Sequence, residues 1–408
     1  MKERVLIMGA GTVGSRDADV LLSLGIPVIL CKYDALEDDI KTQELKAIIN
    51  RHKKDLIEVR AARGSNIEER IEHLSHHLGS CEGSIDNMDF RTVSLAIDCT
   101  DKKKDVRNYA EIYEPKGLKF AVNGGGDDKL IKNLYFASVP NSKIQENLQT
   151  YAENNAKIVS CNTHAITTLL GLMKGILGKG KDFKEKLRDT ILVDFSRRYE
   201  DPHKGKPVPQ YVSLKHKEYH VEEVESIHPE TEKLVDTTYS KWPTQYFHNI
   251  TATFSLKDKV TASLVDDLRL AIQNYPRAIL VEDELCHERT MNAAKWARIS
   301  DADVPFPLYM VDKAGENYLR VYALTPQRGI VAPSTADYAL LRLGMIPSLS
   351  SITKPTQELD STAWERIFNF VNKTAKYRNE NFTHIKNSIQ DNLANYKAIN
   401  ESFKDSKP

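Results

Sequence analysis

The sequence predicts an α/β chain of two domains, the first with a parallel sheet and the second of α+β type with a mostly antiparallel sheet. Three observations carry that expectation. A short β-rich run, Val5-Leu6-Ile7-Met8, ends in glycines and leads through a helical pattern to a second apolar run, the order of a βαβ unit. Later apolar runs, Val93–Asp98 and Lys119–Val122, end in polar or glycine-rich residues, as buried parallel strands do where they meet a ligand. From about residue 190 the pattern changes to successive strands, Thr190–Phe195, Ile250–Leu256 and Tyr318–Leu324, with alternating residues and no regular βαβ order.

The bulk properties bound the function class. A chain of 408 residues is long enough for two domains and a tail, and 41% apolar with 28% charged residues is ordinary for a globular enzyme. The formal charge is zero, so no global basic bias points to nucleic acid. No apolar run approaches ~18 residues, so no membrane span is expected. The N-terminus enters a strand without a signal-like apolar stretch. Five cysteines (31, 81, 99, 161 and 286) are odd in number and not close-set, which suits reduced thiols and a cytoplasmic location.

Gly9-Ala10-Gly11-Thr12-Val13-Gly14 lies between the first strand and a helical pattern through Asp19–Leu24, and Pro27–Cys31 reads as the next strand. Glycines there permit a tight turn and let backbone N–H groups approach a pyrophosphate, so the segment reads as the cradle of a Rossmann domain. Residues 36 to 80 read as charged and mostly helical, and His73, His76 and His77 read as a solvated helix face; no metal site is expected. Asn123-Gly124-Gly125-Gly126 is open to two readings, a ligand-approaching turn or a flexible loop.

Cys161 follows the strand-like Lys157–Ser160 and precedes the helical Ala165–Met173. At such a turn the N–H groups of a helix N-terminus lower a thiol pKa and can receive an oxyanion. Its polar neighbours Ser160, Asn162 and Thr163 favour a reactive thiol over a small core residue. Cys99 is the nearest competitor; Cys31, Cys81 and Cys286 read as structural. A thiol together with a nicotinamide defines one chemistry: capture of an aldehyde as a hemithioacetal, loss of hydride, and a thioester. A helix is expected over 261–274, and Trp364, Ile367, Phe368, Phe370 and Val371 suggest an amphipathic helix in the tail. The expected organisation is a dinucleotide-binding domain over 1–160, a catalytic domain over 161–325, a helix returning to the first domain over 326–354, and a helical extension over 355–408.

With these motifs in hand, residues 1 to about 355 resemble the archaeal-type (type II) glyceraldehyde-3-phosphate dehydrogenases. The most specific stretches are Val159-Ser-Cys161-Asn-Thr163 and Arg197-Arg198-Tyr-Glu-Asp201-Pro202. Tyr275–Leu280, Gln327–Val331 followed by Asp337, and the N-terminal glycine motif support them in the same order. The resemblance implies reversible, NAD- or NADP-dependent oxidation of glyceraldehyde 3-phosphate with inorganic phosphate to 1,3-bisphosphoglycerate, by a homotetramer.

Carried over residue by residue, the resemblance makes Cys161 the nucleophile, with Asn162, Thr163 and His220 as substrate contacts. The cofactor contacts would be Gly9, Gly11, Thr12, Val13, Gly14, Lys32, Gly125, Arg198 and Gln327. Lys32, after the second strand, leans toward a 2′-phosphate and hence NADP. The chain departs from the family where it carries its base, a His-x-His-Asn segment: here Gln245-Tyr246-Phe247-His248-Asn249 puts Tyr246 on the first position and His248 on the second. Three readings are open: His248 reaches the thiol, Tyr246 only orients substrate while another group takes the proton, or activation is lost. The family's His-Gly-Pro-Asp continuation is replaced by His220-Val-Glu-Glu223, whose two carboxylates would disfavour a phosphate. That keeps two alternatives, a reductase of another acyl phosphate and a non-catalytic cofactor-binding homologue.

Overall fold

The computed structural model describes residues 4–33, 40–52, 54–64, 66–123, 130–131, 134–178, 181–198, 211–213, 218–242, 247–275, 277–281, 306–326 and 329–345. These fall in two compact units. The first comprises the chain up to Ser138, Glu146–Ser160 and the segment from Val331; the second comprises Val139–Gln145 and Cys161–Ile330.

The first unit runs β1 (Arg4–Met8), α1 (Thr12–Ser23), β2 (Val28–Lys32), α2 (Ile40–Arg51), β3 (Ile57–Ala61), α3 (Ile67–Leu78), β4 (Val93–Asp98), α4 (Lys102–Asn108), β5 (Phe120–Asn123) and β6 (Tyr135–Phe136). The short α5 (Lys143–Glu146) marks the crossing to the second unit; α6 (Leu148–Glu153) and β7 (Ala156–Ile158) lead back. All seven strands pair in parallel, in the order β3-β2-β1-β4-β5-β7-β6. The sheet is buried on both faces, which is why its strands read as continuous apolar runs: Val5, Leu6, Ile7 and Met8 are all fully buried. One face packs Leu6, Met8, Ile29 and Cys31 against Ile85, Ile112, Tyr113 and Ile131. Each such aliphatic side chain contributes roughly 1.5–3 kcal/mol of burial.

The order reverses at β1 and β4, the switch point where ligands bind in open α/β sheets. Residues 36 to 80 carry the helices that the sequence suggests, α2 and α3, and also a strand that it did not. They hold β3, an edge strand in which only Val59 and Ala61 are buried, while Glu58 pairs with Arg4 and Arg60. An edge strand that interleaves Glu58 and Arg60 with its apolar residues lacks the continuous apolar signature of its neighbours.

The second unit opens with α7 (Cys161–Leu177) and α8 (Lys181–Lys186), followed by β8 (Ile191–Arg198), β9 (Tyr211–Ser213), α9 (Glu218–Ile227), β10 (Val235–Trp242), β11 (Phe247–Ser255), α10 (Ala262–Asn274), β12 (Ile279–Leu280), β13 (Leu308–Lys313) and β14 (Tyr318–Pro326). Its sheet has the order β12-β13-β14-β11-β8-β10-β9. Four of its pairings are antiparallel, and β12–β13 and β8–β10 are parallel. β11 alternates: His248, Ile250, Ala252 and Phe254 are buried, while Asn249, Thr251 and Thr253 keep exposed surface. The covered face lies beneath α7 and α10. α10 starts at a Thr261 cap, whose hydroxyl accepts from Leu264 N–H at 3.1 Å, and buries Val265, Leu268 and Ile272. α11 (Ala332–Arg342) packs on α1 within the first unit, tied by Tyr338 to Asn154 O and by Arg342 to Ala152 O, both at 2.7 Å. Among the described residues no helix is long and apolar enough to cross a membrane. The tail over 355–408, with Trp364 and its neighbours, lies outside the described residues.

Candidate active site

In the first unit, β1 ends at the glycine turn. Gly9 has φ +95°, and a Cβ there would stand 2.9 Å from the Thr100 methyl, so the turn requires glycine. The N–H groups of Gly9 and Ala10 both donate to Cys31 O at 3.0 Å, fixing the turn against β2. Gly14 is required for a second reason: a Cβ would stand 2.1 Å from Gly9 O, so α1 packs directly on the turn. Gly11 caps α1 and faces open space, without a side-chain cap of its own and with no acidic residue in the first turn. An open helix N-terminus at the switch point of a parallel sheet fits a pyrophosphate.

Val13 is half-buried in that first turn, and the Thr12 side chain lies outside the described residues. Lys32 is the last residue of β2 and is half-buried. Next to it Tyr33 donates to Asn108 Oδ1, and Lys104 Nζ lies 5.4 Å from the Tyr33 ring centre. Asn108 in turn donates to Asp98 Oδ2 at 2.8 Å, as does Tyr113 at 2.6 Å, so the end of β2 is tied to the end of β4. Two cations at this edge are compatible with a 2′-phosphate. Gly125 and Gln327 lie outside the described residues.

Beneath the turn, Asp17 is fully buried on α1 and accepts from Asn123 Nδ2 at 2.7 Å and from Cys99 Sγ at 3.3 Å. Asn123 also donates to Thr335 of α11 at 2.8 Å. Burial pushes the Asp17 carboxyl up to about 7, against the opposing hydrogen bonds from Asn123, Cys99 and Thr335. A carboxyl raised on folding contributes stability that is full below its unfolded value of about 4 and is lost as pH rises through about 7. Asp17→Asn is therefore expected to remove this part of the decline in Tm between pH 5 and pH 8. An identical decline in the variant and the parent would contradict the assignment.

In the second unit, Cys161 is the first residue of α7 and is partly exposed. Asn162, Thr163 and every residue on to Lys174 are buried. The helix is buried all round because it is packed by the sheet, α8, α9 and α10. Tyr309 of β13 donates to Ala165 O at 2.6 Å. A Cβ on Gly171 would stand 2.0 Å from Pro140 O, and Asn141 Nδ2 donates to Gly171 O at 2.8 Å, so residues 139–145 belong with this helix.

Lys174 is only 5% exposed. It donates to Asn141 O at 2.5 Å, pairs with Glu230 and donates to His228 Nδ1 at 3.3 Å; His228 Nε2 donates to Thr167 O at 2.8 Å. Burial acts to raise the Glu230 carboxyl, but the His228 and Lys174 side chains beside it prevail and hold it down to about 2. Its contribution to stability is thus present above the ordinary carboxylate range and lost as pH falls toward 2. Lys174→Met leaves Glu230 without its cation and is expected to cost about 3–5 kcal/mol, read as a lowered urea midpoint. A change below about 1 kcal/mol would show that the pair does not hold α7.

The cysteines separate by environment. Burial pushes the Cys31 and Cys99 thiols up, and Asp17 and Asp98 push Cys99 further, so neither is a nucleophile near neutral pH. Cys161 alone among the described cysteines opens a helix. Next to it, buried Asn162 Oδ1 has no hydrogen-bond partner among the described residues, which suits a group held for a ligand.

Thr163 donates to Glu223 on α9 and lies 3.1 Å from His220 Nδ1. The His220 ring stacks on Phe195 of β8 with centres 4.8 Å apart. α9 buries His220, Glu223, Val224 and Ile227, one helical face, whereas Glu222 is exposed. Only one of the two carboxylates that the sequence set against a phosphate therefore faces this cluster. His248 is fully buried on the covered face of β11, opposite Thr325 of β14. Arg198 ends β8 opposite Trp242, with its side chain outside the description; Tyr246 and Cys286 are outside the described residues altogether. On α3 the His77 ring lies against those of His73, tilted at 4.3 Å, and His76, edge-on at 5.0 Å, and no group of metal-ligating residues forms among the described residues.

No protein-family model matches the chain. It is 25% identical over 380 residues to the glyceraldehyde-3-phosphate dehydrogenase of Archaeoglobus fulgidus, covering 88% of this chain and 98% of that protein. It is 26% identical over 210 residues to the glyceraldehyde-3-phosphate dehydrogenase of Methanopyrus kandleri, covering 49% of this chain and 55% of that one. Among solved structures, aspartate semialdehyde dehydrogenase II from Vibrio cholerae superposes with a TM-score of 0.57 at 13% identity, over 84% of this chain and 99% of that one. This last likeness shows the fold: a Rossmann-like parallel sheet followed by a mixed, mostly antiparallel one.

Proposed function

We propose that the chain is an NAD(P)-dependent, phosphorylating aldehyde dehydrogenase. Its proposed reaction is the reversible conversion of glyceraldehyde 3-phosphate and inorganic phosphate to 1,3-bisphosphoglycerate through a thioester on Cys161. The observation that carries this reading is the position of Cys161, partly exposed at the head of a buried helix. The same chain holds a glycine turn fitted for a dinucleotide, and its archaeal relatives support the substrate.

The residues divide the chemistry between them. The Cys161 thiolate attacks the aldehyde carbon; the C–S bond forms and the carbonyl electron pair moves to oxygen. N–H groups of the first turn of α7 stabilise that oxyanion. Asn162 orients the substrate with its unmatched Oδ1. A histidine, for which His248 on the second position of the family's His-x-His-Asn segment is the candidate, takes the thiol proton, passes it to that oxyanion and takes it back as the carbon is oxidised. Phosphate then attacks the thioester carbon, and the C–S bond breaks to release the thiolate. Gly9, Gly11, Thr12, Val13, Gly14 and Lys32 would hold the dinucleotide, with Gly125, Arg198 and Gln327 assigned from the family pattern. When bound, its nicotinamide supplies the hydride acceptor, and Lys32 favours NADP.

One observation favours a second reading, a reductase of a different acyl phosphate: the buried Glu223 beside His220 is a poor neighbour for a substrate phosphate. Parallel assays with glyceraldehyde 3-phosphate and semialdehydes separate the two. A homotetramer is the expected assembly, read by light scattering of the purified chain.

A further inference from the structure

The first turn of α7 carries more than the thiol. Thr163 and Glu223 are fully buried, and His220 is 2% exposed. A hydroxyl has one hydrogen to give, a carboxylate oxygen accepts, and a neutral imidazole carries its hydrogen on one nitrogen only. Thr163 gives its hydrogen to Glu223 Oε2. At the 3.1 Å contact with His220 Nδ1 the hydroxyl oxygen must then accept, so Nδ1 carries the imidazole hydrogen. The lone pair of the neutral ring is left on Nε2. Stacking on Phe195, at an interplanar angle of 30°, restrains the ring.

We propose that Glu223 is a positioning residue which, through Thr163, holds neutral His220 as its Nδ1–H tautomer and leaves Nε2 as a hydrogen-bond and proton acceptor. The arrangement follows the logic of a carboxylate orienting a catalytic histidine, with a threonine hydroxyl interposed. It deepens the reading above and rests on it for the group that meets Nε2. A nitrogen lone pair repels a phosphate oxygen and accepts from a hydroxyl. In this tautomer His220 suits a hydroxyl donor rather than the phosphate that the family pattern implied. It also ties the residue two positions after Cys161 to proton handling in this unit.

The test reads the tautomer directly and needs no turnover, so its failure is distinguishable from failure of the dehydrogenase reading. The full chain is labelled with ¹⁵N-histidine and its long-range ¹H–¹⁵N correlations are recorded at alkaline pH, where the rings are neutral. His220→Gln identifies the resonance pair. The expected spectrum has a protonated, pyrrole-type Nδ1 and a pyridine-type Nε2. Glu223→Leu frees the Thr163 hydroxyl to donate to Nδ1 and is expected to switch the ring to Nε2–H. Glu223→Gln retains an acceptor and is expected to keep the parent pattern. Thr163→Ser should likewise keep it, and Thr163→Val should lose it. An Nε2–H ring in the parent chain, or an unchanged Nδ1–H ring in Glu223→Leu, would overturn the proposal. Should either apolar variant fail to fold, the parent spectrum and the conservative pair still decide, because a parent Nε2–H tautomer alone is fatal.

Discussion

Cys161→Ser is expected to abolish turnover, by about 10⁴-fold or more, while cofactor affinity and Tm stay near those of the parent. A serine hydroxyl at this position is close in shape but a far weaker nucleophile. A helix N-terminus favours a thiolate over a thiol, whereas an alkoxide lies far out of range at neutral pH. Cofactor binding should be spared because the glycine turn belongs to the first unit and Cys161 to the second. The measurement pairs steady-state rates with fluorescence titration of NADPH and a thermal scan. Retained turnover in the serine variant would remove the thioester from the mechanism. Loss of cofactor binding together with turnover would instead mean that the substitution acts through folding.

Gly14→Ala is the second large effect. Its new Cβ would meet Gly9 O at 2.1 Å and the Ile7 side chain at 3.1 Å. Main chain cannot yield as a flexible side chain can, so α1 must move away from the turn. Overpacking of this kind costs about 1–3 kcal/mol. The same displacement moves the helix N-terminus from which a pyrophosphate would be held, and a loss of ~3 kcal/mol in binding corresponds to about a hundredfold in Kd. Gly11→Ala provides the contrast, since a Cβ there meets nothing within 4 Å. It should leave Tm nearly unchanged and weaken cofactor binding only through crowding of the ligand. Equal behaviour of the two variants in both assays would show that the packing of α1 on Gly9 does not shape the cradle.

The fold class was legible because its physical causes leave marks in sequence. Strands buried on both faces read as apolar runs, as in Val5–Met8, and the half-covered β11 alternates from His248 to Phe254. The glycine turn was legible as a motif, but the sequence did not distinguish Gly9 and Gly14, which steric contact demands, from Gly11, which stands in open space. β3 was missed because Glu58 and Arg60 alternate with Val59 and Ala61 and break the apolar run.

Of the candidate site, the sequence singled out Cys161, Asn162, Thr163 and His220, and the structure gathers the last two around Glu223. Glu223 itself was read as a carboxylate set against phosphate. Its spacing from His220, Val224 and Ile227 on one helical face was the available signal; a charged residue in such a position ordinarily points to water. Asp17, Lys174 and Glu230 were invisible for the same reason, since the partners that make burial of a charge tolerable come from distant segments. Tyr246, where the chain departs from the family pattern, lies outside the described residues.

The most direct test of the thioester mechanism is the reduction of NADP⁺ and NAD⁺ with glyceraldehyde 3-phosphate, with and without inorganic phosphate. Phosphate-dependent turnover that is lost in Cys161→Ser, with the faster rate on NADP⁺, is the predicted result. Demonstrated dinucleotide binding without turnover on this aldehyde or on the semialdehydes would contradict it and mark the chain as a cofactor-binding homologue without the activity.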